Sequence, residues 1–146
     1  MKSSADFPAL NQKPPEGLKE DGTPYKILIV DDSKSIRTMV SAVLAAAGHE
    51  VKEAIDGHDA LKVAQSDRFN LVISDVNMPI MDGFELVAEL RKMEGYRYIP
   101  IVFLTTAESE FFRNKGREAG ATAWITKPFN AKKLMDLLGV SAEEID

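Results

Sequence analysis

Cysteine is absent from these 146 residues, which excludes disulfides and every thiolate metal site. Histidine is scarce. His49 and His58 would have to carry any imidazole chemistry, and both fall in polar turns between helices and strands, where a solvated loop role is expected. No apolar run approaches the roughly 20 residues of a membrane span. The first ten residues carry one lysine and no long apolar stretch, unlike a secretory leader. A soluble cytoplasmic protein with no membrane partner is therefore expected. Positive charge is not in excess either: Lys plus Arg number 18 against 23 for Asp plus Glu, a formal charge of -5. That balance gives no electrostatic case for nucleic acid, whose binders present a basic face.

What remains is ordinary for a globular chain, with 45% hydrophobic and 28% charged residues. The length suits one domain with one core. Residues 1–24 stand apart. They hold Pro8, Pro14, Pro15 and Pro24, four of the seven prolines, and few large apolar residues. Such a stretch buries too little to offset its ordering entropy and is expected to be a flexible N-terminal extension.

From Tyr25 the pattern alternates. Lys26-Ile27-Leu28-Ile29-Val30 is a dense apolar run suited to a buried parallel strand. Ile36, Val40, Val43, Leu44 and Ala47 then recur at helical spacing, and Gly48 is expected to cap that helix. Further strands are expected over Glu50–Ala54, Leu71–Ser74, Ile99–Leu104 and Ala123–Thr126. The helices between and after them are expected over Gly57–Gln65, Gly83–Met93, Glu108–Ala119 and from Asn130 to Leu138. Five strands alternating with five helices imply an α/β fold, a parallel sheet with helices on both faces. In such sheets the ligand site lies at the carboxyl ends of the strands.

Those ends supply Asp31-Asp32 after the first strand, Asp75 after the third, Thr105-Thr106 after the fourth and Lys127-Pro128 after the fifth. Singly, each has an ordinary explanation: a helix cap for the paired acids or Ser33, a turn for Asp75, a satisfied strand residue for Thr105. Together they gather three carboxylates and a lysine on one rim. Like charges about 4 Å apart repel by about 4 kcal/mol at an effective dielectric near 20, so a cation is expected there. All-oxygen ligands suit Mg²⁺, with a main-chain carbonyl of the Asp75–Asn77 loop as a further donor. A lysine opposite the metal then offers positive charge, and a threonine a hydroxyl donor, to phosphoryl oxygens around an attacking carboxylate.

The set Asp31-Asp32-Ser33, Asp75-Val76-Asn77-Met78-Pro79, Asp82-Gly83, Thr105 and Lys127-Pro128-Phe129 resembles the signature of response-regulator receiver domains, most of all the stand-alone chemotaxis (CheY-like) type. The resemblance covers about residues 25–139, leaving 140–146 as a short C-terminal tail. It implies a flavodoxin-like doubly wound (βα)5 three-layer sandwich, a five-stranded parallel sheet of order 2-1-3-4-5. It further implies that Asp75 accepts a phosphoryl group from a sensor histidine kinase. Mg²⁺ would be held by Asp31, Asp32, Asp75 and the main chain of Asn77. Thr105 and Lys127 would bind the phosphoryl group, with a cis peptide before Pro128. Trp124 would be a switch aromatic moving with Thr105, beside a partner face carrying Phe111 and Phe112. Adjacent residues on a helix cannot both face a core, so one of those two rings is expected to be exposed.

The expected role is a phosphorylation switch rather than an enzyme: a monomer acting on a downstream protein, with the flagellar motor switch as the candidate, or else a phosphate sink or relay step. An aspartyl-phosphate phosphatase of the haloacid dehalogenase type would want Asp-x-Asp after the first strand. A flavodoxin-like cofactor binder would want a glycine- and hydroxyl-rich loop where Asp31-Asp32 stand. With seven residues after 139, no DNA-binding output domain is expected, and Ser141-Ala-Glu-Glu144 reads as a new capping box.

Overall fold

The computed structural model describes residues 24–128 and 130–137. The N-terminal extension up to residue 23, Phe129 and the proposed break and capping box after residue 137 lie outside the described residues.

Strands β1 (Lys26–Val30), β2 (Glu50–Ala54), β3 (Leu71–Ser74), β4 (Ile101–Thr105) and β5 (Ala123–Thr126) alternate with helices α1 (Lys34–Ala46), α2 (Gly57–Ser66), α3 (Gly83–Lys92), α4 (Glu110–Ala119) and α5 (Ala131–Leu137). The strands form one parallel sheet in the order β2-β1-β3-β4-β5, as expected. β1, β3 and β4 are central, and all but Lys26 of their residues are buried. Alternate residues therefore feed two separate cores, one on each face of the sheet. Leu28, Val30, Val72, Ile101 and Phe103 pack with Phe84, Leu86, Val87 and Leu90 on one face. Ile27, Ile29, Ile73, Val102 and Leu104 pack with Val40, Leu44, Leu134 and Met135 on the other. No helix among the described residues is long and apolar enough to cross a membrane.

Helix starts follow the capping side chains. Ser33 rather than either acid caps α1, Asp82 and Glu85 form a capping box at α3, and Asn130 accepts from Lys133 N–H in the first turn of α5. Several boundaries move from the expectation: α2 ends at Ser66, α3 at Lys92 and β4 at Thr105, each one residue away, and three others move for a visible reason. The cap of α1 is Ala47, with Gly48 one residue beyond it. α4 begins at Glu110 because Ser109 caps it, and Gly120 closes it in the left-handed conformation. β4 begins at Ile101 rather than Ile99, after Pro100, which has no N–H to contribute to the ladder.

His49 is also corrected. It is no solvated loop residue: it is half-buried, its Nδ1 accepts from Tyr25 N–H at 2.9 Å, and its ring lies 5.1 Å from that of Tyr25. Burial pushes its pKa below the usual histidine value. His58, on the first turn of α2, is exposed.

Candidate functional site

The parallel topology carries the carboxyl ends of β1, β3, β4 and β5 to one rim. Carboxylate oxygens of Asp31, Asp32 and Asp75 all lie within 4.8 Å of one another there. Lys127 reaches across from the end of β5 and donates to Asp31 Oδ2 at 3.0 Å and to Asp75 Oδ2 at 3.2 Å. The peptide between Lys127 and Pro128 is cis.

Each acid is held differently. Asp31 is buried; its Oδ1 accepts from Ser33 N–H at 2.9 Å. Burial raises its pKa, against the lowering influence of Ser33 N–H and Lys127. Asp75 is also buried, with Oδ1 accepting from Val76 N–H at 2.7 Å, which sets the plane of the carboxylate. Asp32 is exposed, and no hydrogen bond to its side chain is present among the described residues. Burial of Lys127 would lower its pKa, but hydrogen bonds and charge from Asp31 and Asp75 outweigh this and hold it raised. Three carboxylates against one ammonium leave two negative charges unbalanced. The donor set is all oxygen and hard, which fits Mg²⁺.

Asn77 is exposed in the loop between β3 and α3. In that loop Met81 N–H donates to Pro79 O at 2.7 Å around Ile80, whose φ of 71° is unusual for a β-branched residue. Helix α3 then approaches the site backbone so closely that a Cβ on Gly83 would stand 2.3 Å from the carbonyl oxygen of Asp75. Glycine is required there by space.

Thr105 is wholly buried, and its hydroxyl accepts from Ala107 N–H at 3.3 Å. The carbonyl of the same Ala107 accepts from Trp124 Nε1–H at 3.0 Å. One residue thus links the hydroxyl to the indole. Trp124 is only 6% exposed on edge strand β5, packed edge-on to Phe103 at 5.5 Å and beneath α4 at Gly116. A Cβ on Gly116 would meet the indole at 2.9 Å. Of the two α4 aromatics, Phe111 is 66% exposed, while Phe112 packs inward against the core and lies parallel to Phe84 at 6.4 Å.

Sequence reasoning passed over Arg37 and Glu53. Arg37 Nη1 donates to the main-chain oxygen of Asp31 at 2.7 Å, and its Nε donates to Glu53 at 3.0 Å. Helical spacing places Arg37 near Ser41, but the Glu53 contact crosses from α1 to β2 and has no local signature.

A parallel five-stranded sheet with an acidic triad and a bridging lysine at its carboxyl edge is the arrangement of a two-component signalling receiver. The chain belongs to the response regulator receiver domain family, whose model matches residues 27–139, and within it the chain is CheY-like. It is similar to the chemotaxis response regulator CheY4 of Vibrio cholerae, at 50% identity and a TM-score of 0.76 over 80% of this chain and 98% of that structure. The chemotaxis protein CheY of Treponema pallidum is 33% identical over 93% of this chain and 95% of its own length. The receiver domain of a sensor histidine kinase from Pseudomonas aeruginosa, 29% identical with a TM-score of 0.73 over 80% of this chain and 95% of that one, was solved with a magnesium ion coordinated in its active-site cleft.

Proposed function

We propose that this chain is a phosphorylation-dependent signalling switch in which Asp75 accepts a phosphoryl group from a phosphohistidine on a sensor kinase. The observation that carries this reading is the convergence of Asp31, Asp32 and Asp75 within 4.8 Å, with Lys127 bonded to two of them. A carboxylate oxygen of Asp75 attacks phosphorus, the bond to the donor nitrogen breaks, and an acyl phosphate forms. Asp31, Asp32, Asp75 and the main chain of Asn77 would hold Mg²⁺, which when bound neutralises charge on the phosphoryl oxygens. Lys127, already at Asp75, pairs with the transferred group. This is positioning and charge neutralisation, with no further catalytic group required.

Thr105 and Trp124 form the switch. When the Thr105 hydroxyl turns to the phosphoryl group it releases Ala107 N–H, and the Ala107 carbonyl that holds Trp124 shifts with it. The added charge of about -1.5 to -2 supplies the differential interaction that such a shift needs. The face bearing Phe111, with Trp124 packed beneath α4, then changes shape for a downstream protein. Similarity to two chemotaxis regulators favours motor control, with the flagellar motor switch as the partner and the cytoplasm as the compartment.

Asp75→Asn is expected to abolish labelling by acetyl phosphate with Mg²⁺, and labelling at the wild-type level would overturn the assignment. Beryllofluoride with Mg²⁺ is expected to change Trp124 fluorescence; an unchanged spectrum would remove the switch. Binding of the beryllofluoride form, but not the free form, to a flagellar motor switch protein tests the output.

A further inference from the structure

We infer that Arg37 is a positioning residue for the metal-binding acids, acting through the peptide that joins Asp31 to Asp32; this rests on the Mg²⁺ site proposed above. Asp31 is fixed on every side. Its N–H donates to Ala54 O at 3.2 Å, and its two carboxylate oxygens accept from Ser33 and Lys127. Among the described residues the Asp32 side chain has no such support, so the position of its carboxylate depends on the backbone that carries it. The oxygen of the peptide leading into Asp32 accepts from Arg37 Nη1 at 2.7 Å.

Arg37 is itself held. Its Nε donates to Glu53 Oε1 at 3.0 Å, and the other oxygen of Glu53 accepts from Ser41 Oγ at 3.1 Å, one helical turn beyond Arg37. Glu53 lies on β2 in register with Ile29, two residues before Asp31. The peptide between the two acids is thereby tied to α1 and to β2 at once. The Arg37 side chain is 12% exposed and that of Glu53 41%, so the pair is partly shielded from solvent.

The charges are arranged to suit a cation. An arginine beside an acidic rim would ordinarily compete for the carboxylates. Here Glu53 takes its charge, and its free donor goes to a carbonyl instead of a carboxylate. The planar fork serves both acceptors from one fixed geometry, which a lysine ammonium cannot reproduce.

Positioning and simple charge predict opposite signs. If Arg37 acted only by its charge, Arg37→Ala would leave Glu53 unpaired, make the rim more acidic and tighten Mg²⁺ binding. If it positions Asp32, the same variant weakens binding, by about tenfold given the usual cost of losing a partner that orients a metal ligand.

Titration calorimetry of Mg²⁺ on the full chain decides between these, with the melting temperature of the metal-free form measured beside it. The expected result is weakening for Arg37→Ala, a comparable loss for Arg37→Lys, and a smaller one for Glu53→Gln. Wild-type or tighter affinity in Arg37→Ala overturns the inference. Should Arg37→Ala fail to fold, Arg37→Lys decides. Weakened Mg²⁺ binding at an unchanged melting temperature supports positioning, and wild-type affinity overturns it. A wild-type chain without Mg²⁺ affinity would overturn the site assignment itself, whereas equal binding by wild type and variant overturns only the role of Arg37.

Discussion

Aspartate and lysine meet at both ends of the sheet, and the two ends treat them in opposite ways. At the amino end Asp67 accepts from Lys26 and pairs with Lys52, and these partners, with Arg68 N–H, hold its carboxyl down at about 2. Two further polar side chains there are fully engaged. Tyr96 shares its hydroxyl between the carbonyls of Ala64 and Asp67, and Arg91 donates to Gly120, Tyr96 and Ile99 carbonyls. At the carboxyl end Asp31 is pushed up by burial, and one lysine bonds two of the three acids, Asp31 and Asp75, and not Asp32. The lesson is that one end spends its charges on holding the fold together. The other keeps an imbalance that a bound cation would offset, as expected where function and stability pull apart.

The contrast can be broken at several points. The largest effect is expected at the carboxyl end, from Gly83→Ala. Its Cβ would stand 2.3 Å from Asp75 O and 2.9 Å from Val76 Cα, both backbone, so the chain must shift. We expect about 3 kcal/mol of destabilisation by urea unfolding, at the upper end of overpacking costs; a loss below about 1 kcal/mol would show that the helix approach is not tight. Next is Mg²⁺ itself. At about 100 times its dissociation constant it should add about 2.7 kcal/mol to wild type. Asp32→Asn should lose most of that response, and Asp67→Asn, at the opposite end, none of it. An equal loss in both variants would erase the distinction.

Tyr96→Phe removes a hydroxyl shared between two carbonyls at the amino end and should cost about 1 kcal/mol. Its Mg²⁺ response should stay wild-type. The smallest effect is in the acid limb. Asp67 titrates at about 2 in the fold against an ordinary 3.8. Between those values the unfolded chain binds more protons, so the contribution of Asp67 is present above about pH 4 and lost as the pH falls towards 2. Acid unfolding of Asp67→Asn should therefore be less steep over that window. Identical slopes would mean that the Lys26 and Lys52 contacts add nothing in solution.

Much of this architecture was legible in the chain because its signals are local. β1, β3 and β4 read as dense apolar runs, and β2 and β5 also lie where the sequence placed them. The strand ends listed the rim residues before any geometry was known. Where boundaries slipped, the cause was also local but competing: Ser109 outdid Glu108 as the start of α4, and Pro100 delayed β4. His49 failed for a different reason. Its Nδ1 is bonded to Tyr25, 24 residues away, and a polar turn gives no hint of that.

The sequence alone determined which residues stand at the ends of the strands, since periodicity and punctuation depend on neighbours along the chain. It could not determine how the acids are held apart from one another in character, because Asp31 and Asp32 are identical and adjacent there. Tertiary structure buried one against Lys127 and left the other exposed at the end of a peptide gripped by Arg37. It also decided that Trp124 lies under α4, where Gly116 makes room, and that Ala107 joins its indole to Thr105. Those outcomes depend on which distant segments pack together, and burial and long-range hydrogen bonding exist only once they do.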